Sequence, residues 1–331
     1  MHFYHPKKEG KIMSKKHVHI FMASDDNYVP YLMVTVKSIS LHSRPDYIYD
    51  ITVLTKGLEQ QNVRKLRHLE LENVNIMIVN MEKIVEPLRK QLRETLRDYY
   101  SEAIFYRMFI ASMYPRLTRA VYIDCDVVLV DDIAKLYFTN IGNMILGAVA
   151  DESIPGVPAF CDYVENWVGV PVEKYINSGV LIINLKEYRR SLILERFIGL
   201  INEKGFATVA PDQDYLNYLC KGRIRYLDRG WNKQPKEDDI PPTEEQHLIH
   251  FNLYNKPWHY FDVPYSDVFW DVAKQTPYYT DFIGELVGYT DEQRRKDMAG
   301  GVKLIERAGE LAKESGGFAS CQQNDIMIEA G

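Results

Sequence analysis

The sequence predicts an α/β fold on a mainly parallel, twisted sheet with flanking helices. Two observations carry that prediction. Short β-rich apolar runs alternate with longer helical patterns over the first 125 residues, and acidic clusters follow the first and fourth runs. In open parallel sheets ligands bind outside the carboxyl ends of the strands, so ASDDN and DCD should share one rim.

Element by element, HVHIFMA (17–23) is the first strand, and YVPYLMVTVKSISLHS (28–43) follows with apolar residues at helical spacing. DITVLT (50–55) is the second strand, LEQQNVRKLRHLE (58–70) a polar-faced helix and VNIMIVN (74–80) the third strand. SEAIFYRMFIASMYP (101–115) reads as helical and AVYID (120–124) as the fourth strand. The connections should be right-handed. Beyond residue 143 the strands are spaced less regularly: MILGAVAD, YINSGVLIINL, RIRYLD and HLIHF, with helical patterns between them. The Pro- and Gly-containing stretch 152–171 reads as an active-site loop or lid. Residues 1–16 are expected to be a flexible N-terminal segment, 17–263 the main α/β domain and 264–331 a C-terminal helical extension. Its last stretch, 316–331, is expected to fray.

Bulk properties exclude several classes. The 331 residues carry a net charge of −6 and no dense Lys/Arg block, which argues against nucleic acid but leaves a small phosphorylated ligand open. Four scattered cysteines without a C-x-x-C pair predict a reducing compartment. No apolar core with a cleavage site opens the chain and no stretch is long enough to span a bilayer, so a cytoplasmic protein is expected. Met13 is an alternative start to Met1.

AVYIDCDVVLVDD (120–132) is the most informative stretch. Asp131 and Asp132 precede Ile133 as helix caps would. Asp124 and Asp126 lie between two apolar runs, and carboxylates that close raise each other's pKa unless a cation is shared. A divalent ion resolves this. HLIHFNLYNKPWHY (247–260) offers His250 after an apolar strand, and Lys256 six residues on. No G-x-G-x-x-G follows the first strand, which disfavours a dehydrogenase.

MASDDNYVPYLMVTVKSI, SEAIFYRMFI, YIDCDVVLVDDI, YINSGVLIINLKEYR, PDQDYLNYL and HFNLYNKPWHY occur in the order found in glycosyltransferase family 8. Over roughly residues 17–260 the chain resembles that family, especially its bacterial lipopolysaccharide α-galactosyl- and glucosyltransferases and, more distantly, glycogenin. The resemblance implies a GT-A fold over 17–263. It implies that Asp124, Asp126 and His250 hold Mn²⁺, or alternatively Mg²⁺, an imidazole favouring the transition metal.

Ala23, Ser24, Asp25, Asp26 and Asn27, with Asp124 and Cys125, would bind uridine and ribose, and Lys256 the diphosphate. Arg107, Asp124, Asn177, Ser178, Asp212 and Gln213 would line the donor sugar, with Gln213, Asp212 and Arg107 at the reacting centre. Leu253 stands where the family usually has a glycine whose amide approaches the phosphates, which leaves that nucleotide contact open.

The implied activity is retaining transfer of a hexose from UDP-glucose or UDP-galactose to a glycan or glycolipid, by a front-face route. Membrane contact would be weak and peripheral, at the inner face, since FWDVAKQTPYY (269–279) has balanced charge. Oligomeric state stays open. Two other readings remain: a glycogenin-like self-glucosylating protein, and a non-catalytic nucleotide-sugar binding module.

Overall fold

The computed structural model describes residues 15–90, 101–236 and 245–321. Nine strands are present among them: β1 (Lys16–Ala23), β2 (Tyr47–Thr55), β3 (Val74–Asn80), β4 (Arg119–Ile123), β5 (Val127–Leu129), β6 (Leu146–Ala150), β7 (Ile176–Asn184), β8 (Ile224–Tyr226) and β9 (Leu248–His250). Seven form one sheet in the order β3-β2-β1-β4-β7-β6-β8, and β5 and β9 form a separate antiparallel pair. β7 is antiparallel to both its neighbours, while the other pairings in the large sheet are parallel. The sheet is therefore mainly parallel, as the β-α alternation requires.

Strand alternation sorts the core into two layers. Val18, Ile20 and Met22 of β1 face a layer that includes Val29, Leu32 and Val36 of α1 (Val29–His42). Phe21 faces the opposite layer, with Phe105, Phe197 of α3 (Ile193–Glu203) and Tyr215 of α4 (Pro211–Leu219). The predicted helix 58–70 forms as α2 (Gln60–Arg67). The C-terminal helices are α5 (Ser266–Ala273), α6 (Tyr279–Gly288) and α7 (Asp291–Leu311). They reach both layers: Phe269 and Phe282 join the first, Ala308 and Leu311 the second.

The structure corrects several local expectations. Residues 101–115 are not one α-helix: Glu102–Phe109 winds as a 3₁₀ helix, and a short α-helix covers Ile110–Met113. Three residues per turn stack Ile104 and Arg107 on one side, where both line the cleft described below. Asn177, Ser178 and Gly179 lie within β7, in the strand run YINSGVLIINL. Aromatics of 269–279 serve the core: Phe269 and Tyr278 are buried. The tail is anchored at Phe318, which is buried and packs 4.4 Å from Phe206 and 4.9 Å from Tyr215. Residues 1–14 and 322–331, together with Tyr99 and Tyr100, lie outside the described residues. Tyr106 is buried, which removes it as a surface acceptor for self-glucosylation. All four cysteines are free thiols.

Candidate active site

The β5–β9 ladder assembles the centre. Asp124 and Asp126 occupy the crossing from β4 to β5, and Val127 pairs with His250. Buried polar groups of α1 hold this crossing: Thr35 Oγ1 donates to the carbonyls of Cys125 (2.8 Å) and Val127 (2.7 Å), and Ser38 Oγ accepts from Leu129 N (3.0 Å). His250 Nε2 consequently lies 3.3 Å from Asp126 Oδ1 and 3.9 Å from Asp124 Oδ2.

Its other ring nitrogen, Nδ1, is 2.8 Å from Asn232 Oδ1. Asn232 Nδ2 donates to Asn177 Oδ1 at 2.9 Å, so its oxygen is the atom facing the ring. Nδ1 thus carries the proton, and the Nε2 lone pair faces the carboxylates. Gly179 keeps the centre open: a Cβ there would overlap His250 Cε1 and stand 2.7 Å from Asp124 Oδ2. Two carboxylates and a neutral imidazole, their ligand atoms within 4.8 Å of one another, form a donor set suited to a divalent transition metal.

Two cations flank the carboxylates. Lys256 Nζ is 2.6 Å from Asp126 Oδ2 and also donates to the Phe251 carbonyl. Burial would raise the Asp126 carboxyl, but the Lys256 ammonium beside it holds it well below the usual carboxylate range. Arg107, buried across from Lys256's partner, donates to Ser178 O (2.5 Å) and Asp124 Oδ1 (2.9 Å) and stacks 4.1 Å from the Tyr122 ring. Burial opposes its charge, and Asp124 and Asp212 more than restore it.

Beyond the triad a pocket of about 200 Å³ is lined by Asn177, Ser178, Asp212 and Gln213, with Asp151 added. Gln213 is held at both ends: Oε1 accepts from Ser178 N (2.9 Å), and Nε2 donates to Asp151 Oδ2 (2.9 Å). Asp212 Oδ2 is buried without a hydrogen-bond donor, 3.2 Å from Arg107 Nε. Burial raises its carboxyl, and Arg107 opposes this.

Asp151, Asn232 and Gln234 escaped the sequence reading. Burial would raise Asp151, but donors from Ser153, Gln234 and Asn177 lower it. The stretch 152–171 does line this pocket, through Ser153, Ile154, Phe160 and Tyr163, but it is not the expected loop: it is helical over Pro158–Tyr163 and Val164–Val168. Tyr163 and Tyr175 donate to Asp214 (2.6 and 2.5 Å), whose carboxyl burial pushes up to about 6.

A larger cleft of about 570 Å³ adjoins the pocket, lined by Ala23, Ser24, Asp25, Asn27, Tyr28, Cys125 and Lys256 among others. Asp25 caps the turn into α1 by accepting from Tyr28 N (3.1 Å) and still lines the cleft. Asp26 does not line it. Its Oδ1 accepts from Glu59 N (2.9 Å) and Asn62 Nδ2 (2.8 Å), so it tethers the loop before α2. Leu253 lines both cavities and has φ +53°, the left-handed region a glycine adopts freely. A leucine there costs about 1–2 kcal/mol. The chain thus keeps the glycine-like backbone path and adds a side chain.

A second Asp/Glu/His cluster sits at the far end of the same ladder: Asp131, Glu245 and His247. Asp132, not Asp131, caps the following helix, accepting from Ala134 N (2.8 Å). Asp131 Oδ2 meets His247 Nδ1 (2.8 Å) and Lys135 Nζ (2.7 Å).

A family model for glycosyl transferase family 8 matches residues 19–262. The chain belongs to glycosyltransferase family 8. Curated relatives agree. A putative glycosyltransferase of Haemophilus influenzae is 26% identical over 73% of this chain and 73% of its own length. The lipopolysaccharide 1,2-glucosyltransferase of Escherichia coli is 25% identical over 78% of this chain and 77% of its own. Among solved structures, galactosyltransferase LgtC, in complex with donor and acceptor sugar analogs, superposes with TM-score 0.64 at 25% identity. It covers 78% of this chain and 96% of that one. The bifunctional glycosyltransferase WbbM gives TM-score 0.71 at 21% identity over 83% of this chain and 52% of its own, a likeness of fold. This family 8 protein is therefore a glycosyltransferase with a GT-A fold. No helix among the described residues is long and apolar enough to cross a membrane.

Proposed function

We propose that this family 8 chain is a Mn²⁺-dependent retaining hexosyltransferase that moves glucose or galactose from a UDP-sugar to a glycan or glycolipid. One observation carries the reading: Asp124, Asp126 and a tautomer-fixed His250 converge where the larger cleft meets the smaller pocket. The larger cleft suits a nucleotide and the pocket a hexose.

Asp124, Asp126 and His250 would hold the ion. When bound it supplies Lewis-acid stabilisation of the diphosphate charge that develops as the sugar leaves. Lys256 adds a point charge beside it. Asp25 and Asn27 offer hydrogen-bonding groups to uracil and ribose. Asp212 Oδ2, buried and short of a donor, accepts a sugar hydroxyl, with Arg107 holding its charge.

Gln213 is a neutral amide clamped by Ser178 and Asp151, which suits a positioning dipole and not a nucleophile. That favours a front-face course: the acceptor hydroxyl attacks on the side from which UDP departs, and its proton passes to a phosphate oxygen. A donor screen tests the proposal by measuring UDP release from a panel of UDP-sugars with and without Mn²⁺. Release from UDP-glucose or UDP-galactose that depends on Mn²⁺ is expected, and inactivity toward every donor would sink the reading.

A further inference from the structure

The two compartments meet at a passage bounded by six shared side chains. Arg107, Asp124 and Asp126 form its polar side, and Ile104, Leu253 and Leu304 its apolar side. Leu253 keeps a left-handed backbone at φ +53° while remaining 51% exposed. A strained, half-exposed leucine adds little to the core, so its side chain serves the cleft. Leu304 comes from α7, outside the family-matched residues.

That helix is fastened to both lips. Gly300 packs so tightly on Tyr254 that a Cβ would overlap the phenol hydroxyl, while a Cβ at Gly309 would lie 3.7 Å from Ala159 of the short helix Pro158–Tyr163, which borders the smaller pocket. Asp297 Oδ2 accepts from Tyr260 (2.8 Å) and Tyr289 (2.7 Å).

We propose that Leu253 and Leu304, with Ile104, form an apolar collar that keeps water off the reacting sugar carbon until an acceptor fills it. The inference rests on the donor-site reading above. In the suppressed side reaction, a water oxygen bonds to the anomeric carbon as the carbon–oxygen bond to UDP breaks. The bond's electron pair leaves on the β-phosphate, and the water's proton passes to solvent. Water is smaller than any alcohol, so steric recognition of the acceptor cannot reject it. The site must exclude it, and on the side opposite Arg107, Asp124 and Asp126 the three apolar side chains fill space and offer a water no hydrogen-bond partner. A sugar acceptor brings apolar C–H faces that pack on the leucines.

The test is Mn²⁺-dependent UDP release from UDP-glucose and UDP-galactose without acceptor, alongside calorimetric titration with UDP and Mn²⁺. Leu304→Ala and Leu253→Gly should each raise hydrolysis about tenfold by admitting water, with UDP affinity within about twofold of wild type. Val302→Ala, at an exposed position on the same helix, should leave hydrolysis unchanged. Normal UDP binding with unchanged or lower hydrolysis in both leucine variants overturns the collar alone. A rise in Val302→Ala matching that of Leu304→Ala also overturns it, since loosening the helix would then suffice. Wild type that binds no UDP in the presence of Mn²⁺ overturns the donor-site reading, and the collar with it.

Discussion

The β5–β9 ladder carries an Asp/His cluster at each end, and only one has the makings of a catalytic centre. At one end stand Asp124, Asp126 and His250, at the other Asp131, Glu245 and His247, and both sets bring their ligand atoms within 4.8 Å. At the first, the imidazole spends Nδ1 on the neutral Asn232 amide and turns Nε2 to the carboxylates. At the second, Nδ1 faces the carboxylate itself, Lys135 already neutralises Asp131, and Trp231 stacks 4.4 Å over the ring. Neither described cavity reaches the second cluster. Donor type and proximity do not make a site; what the ligands are tied to behind, and whether they face a cavity, does.

The sharpest way to break this contrast is to remove one carboxylate from each end. Asp126→Ala should lower Mn²⁺-dependent UDP release by roughly a thousandfold or more, as loss of a ligand to a charge-stabilising ion would. Asp131→Ala should change it less than about threefold, and comparable losses would erase the distinction. Next in size, Gln213→Ala should cost roughly 10²-fold in transfer rate with donor affinity kept. A loss of only a few-fold would remove Gln213 from the reacting centre.

Third, Asn232→Ala should weaken Mn²⁺ binding by roughly 10–100-fold in calorimetry, while His247→Ala leaves it unchanged. Smallest is a stability effect through Asp151, whose Oδ2 accepts from Asn177, the residue that holds Asn232. The Asp151 carboxyl lies below its unfolded value, so its contribution is present at neutral pH and is lost as pH falls below about 4. Asp151→Asn should cost about 1–3 kcal/mol at neutral pH. It should also flatten the acid limb of stability in urea titrations between pH 3 and 7.

Much of this was readable from sequence because it is written in period and order. The β1 to β4 runs, α1 and α2 follow from apolar periodicity, and Asp124, Asp126 and His250 from motif order. The reversal of β7 was not readable: apolar runs such as YINSGVLII look alike in either direction, and partners about 60 residues away decide it. Nor was the 3₁₀ winding at 102–109, since its apolar spacing suits an α-helix and only the cleft demands the tighter turn. Asp151 and Asn232 are single polar residues in unremarkable surroundings, and their role lies wholly in tertiary partners. Asp26 shows the reverse: it sits inside a recognisable motif and points elsewhere.

The pairing of Val127 with His250 also sets a timetable for synthesis. At about 5–20 residues per second, β5 leaves the ribosome roughly 6–25 s before the strand that must complete it. During that interval Asp124 and Asp126 are two crowded carboxylates without their histidine or lysine. The parallel β3-β2-β1-β4 half of the sheet can already be in place, so the growing chain acquires its shape before its chemistry. On the donor-site reading proposed above, a half-made chain lacking His250 and Lys256 would not hold a nucleotide sugar.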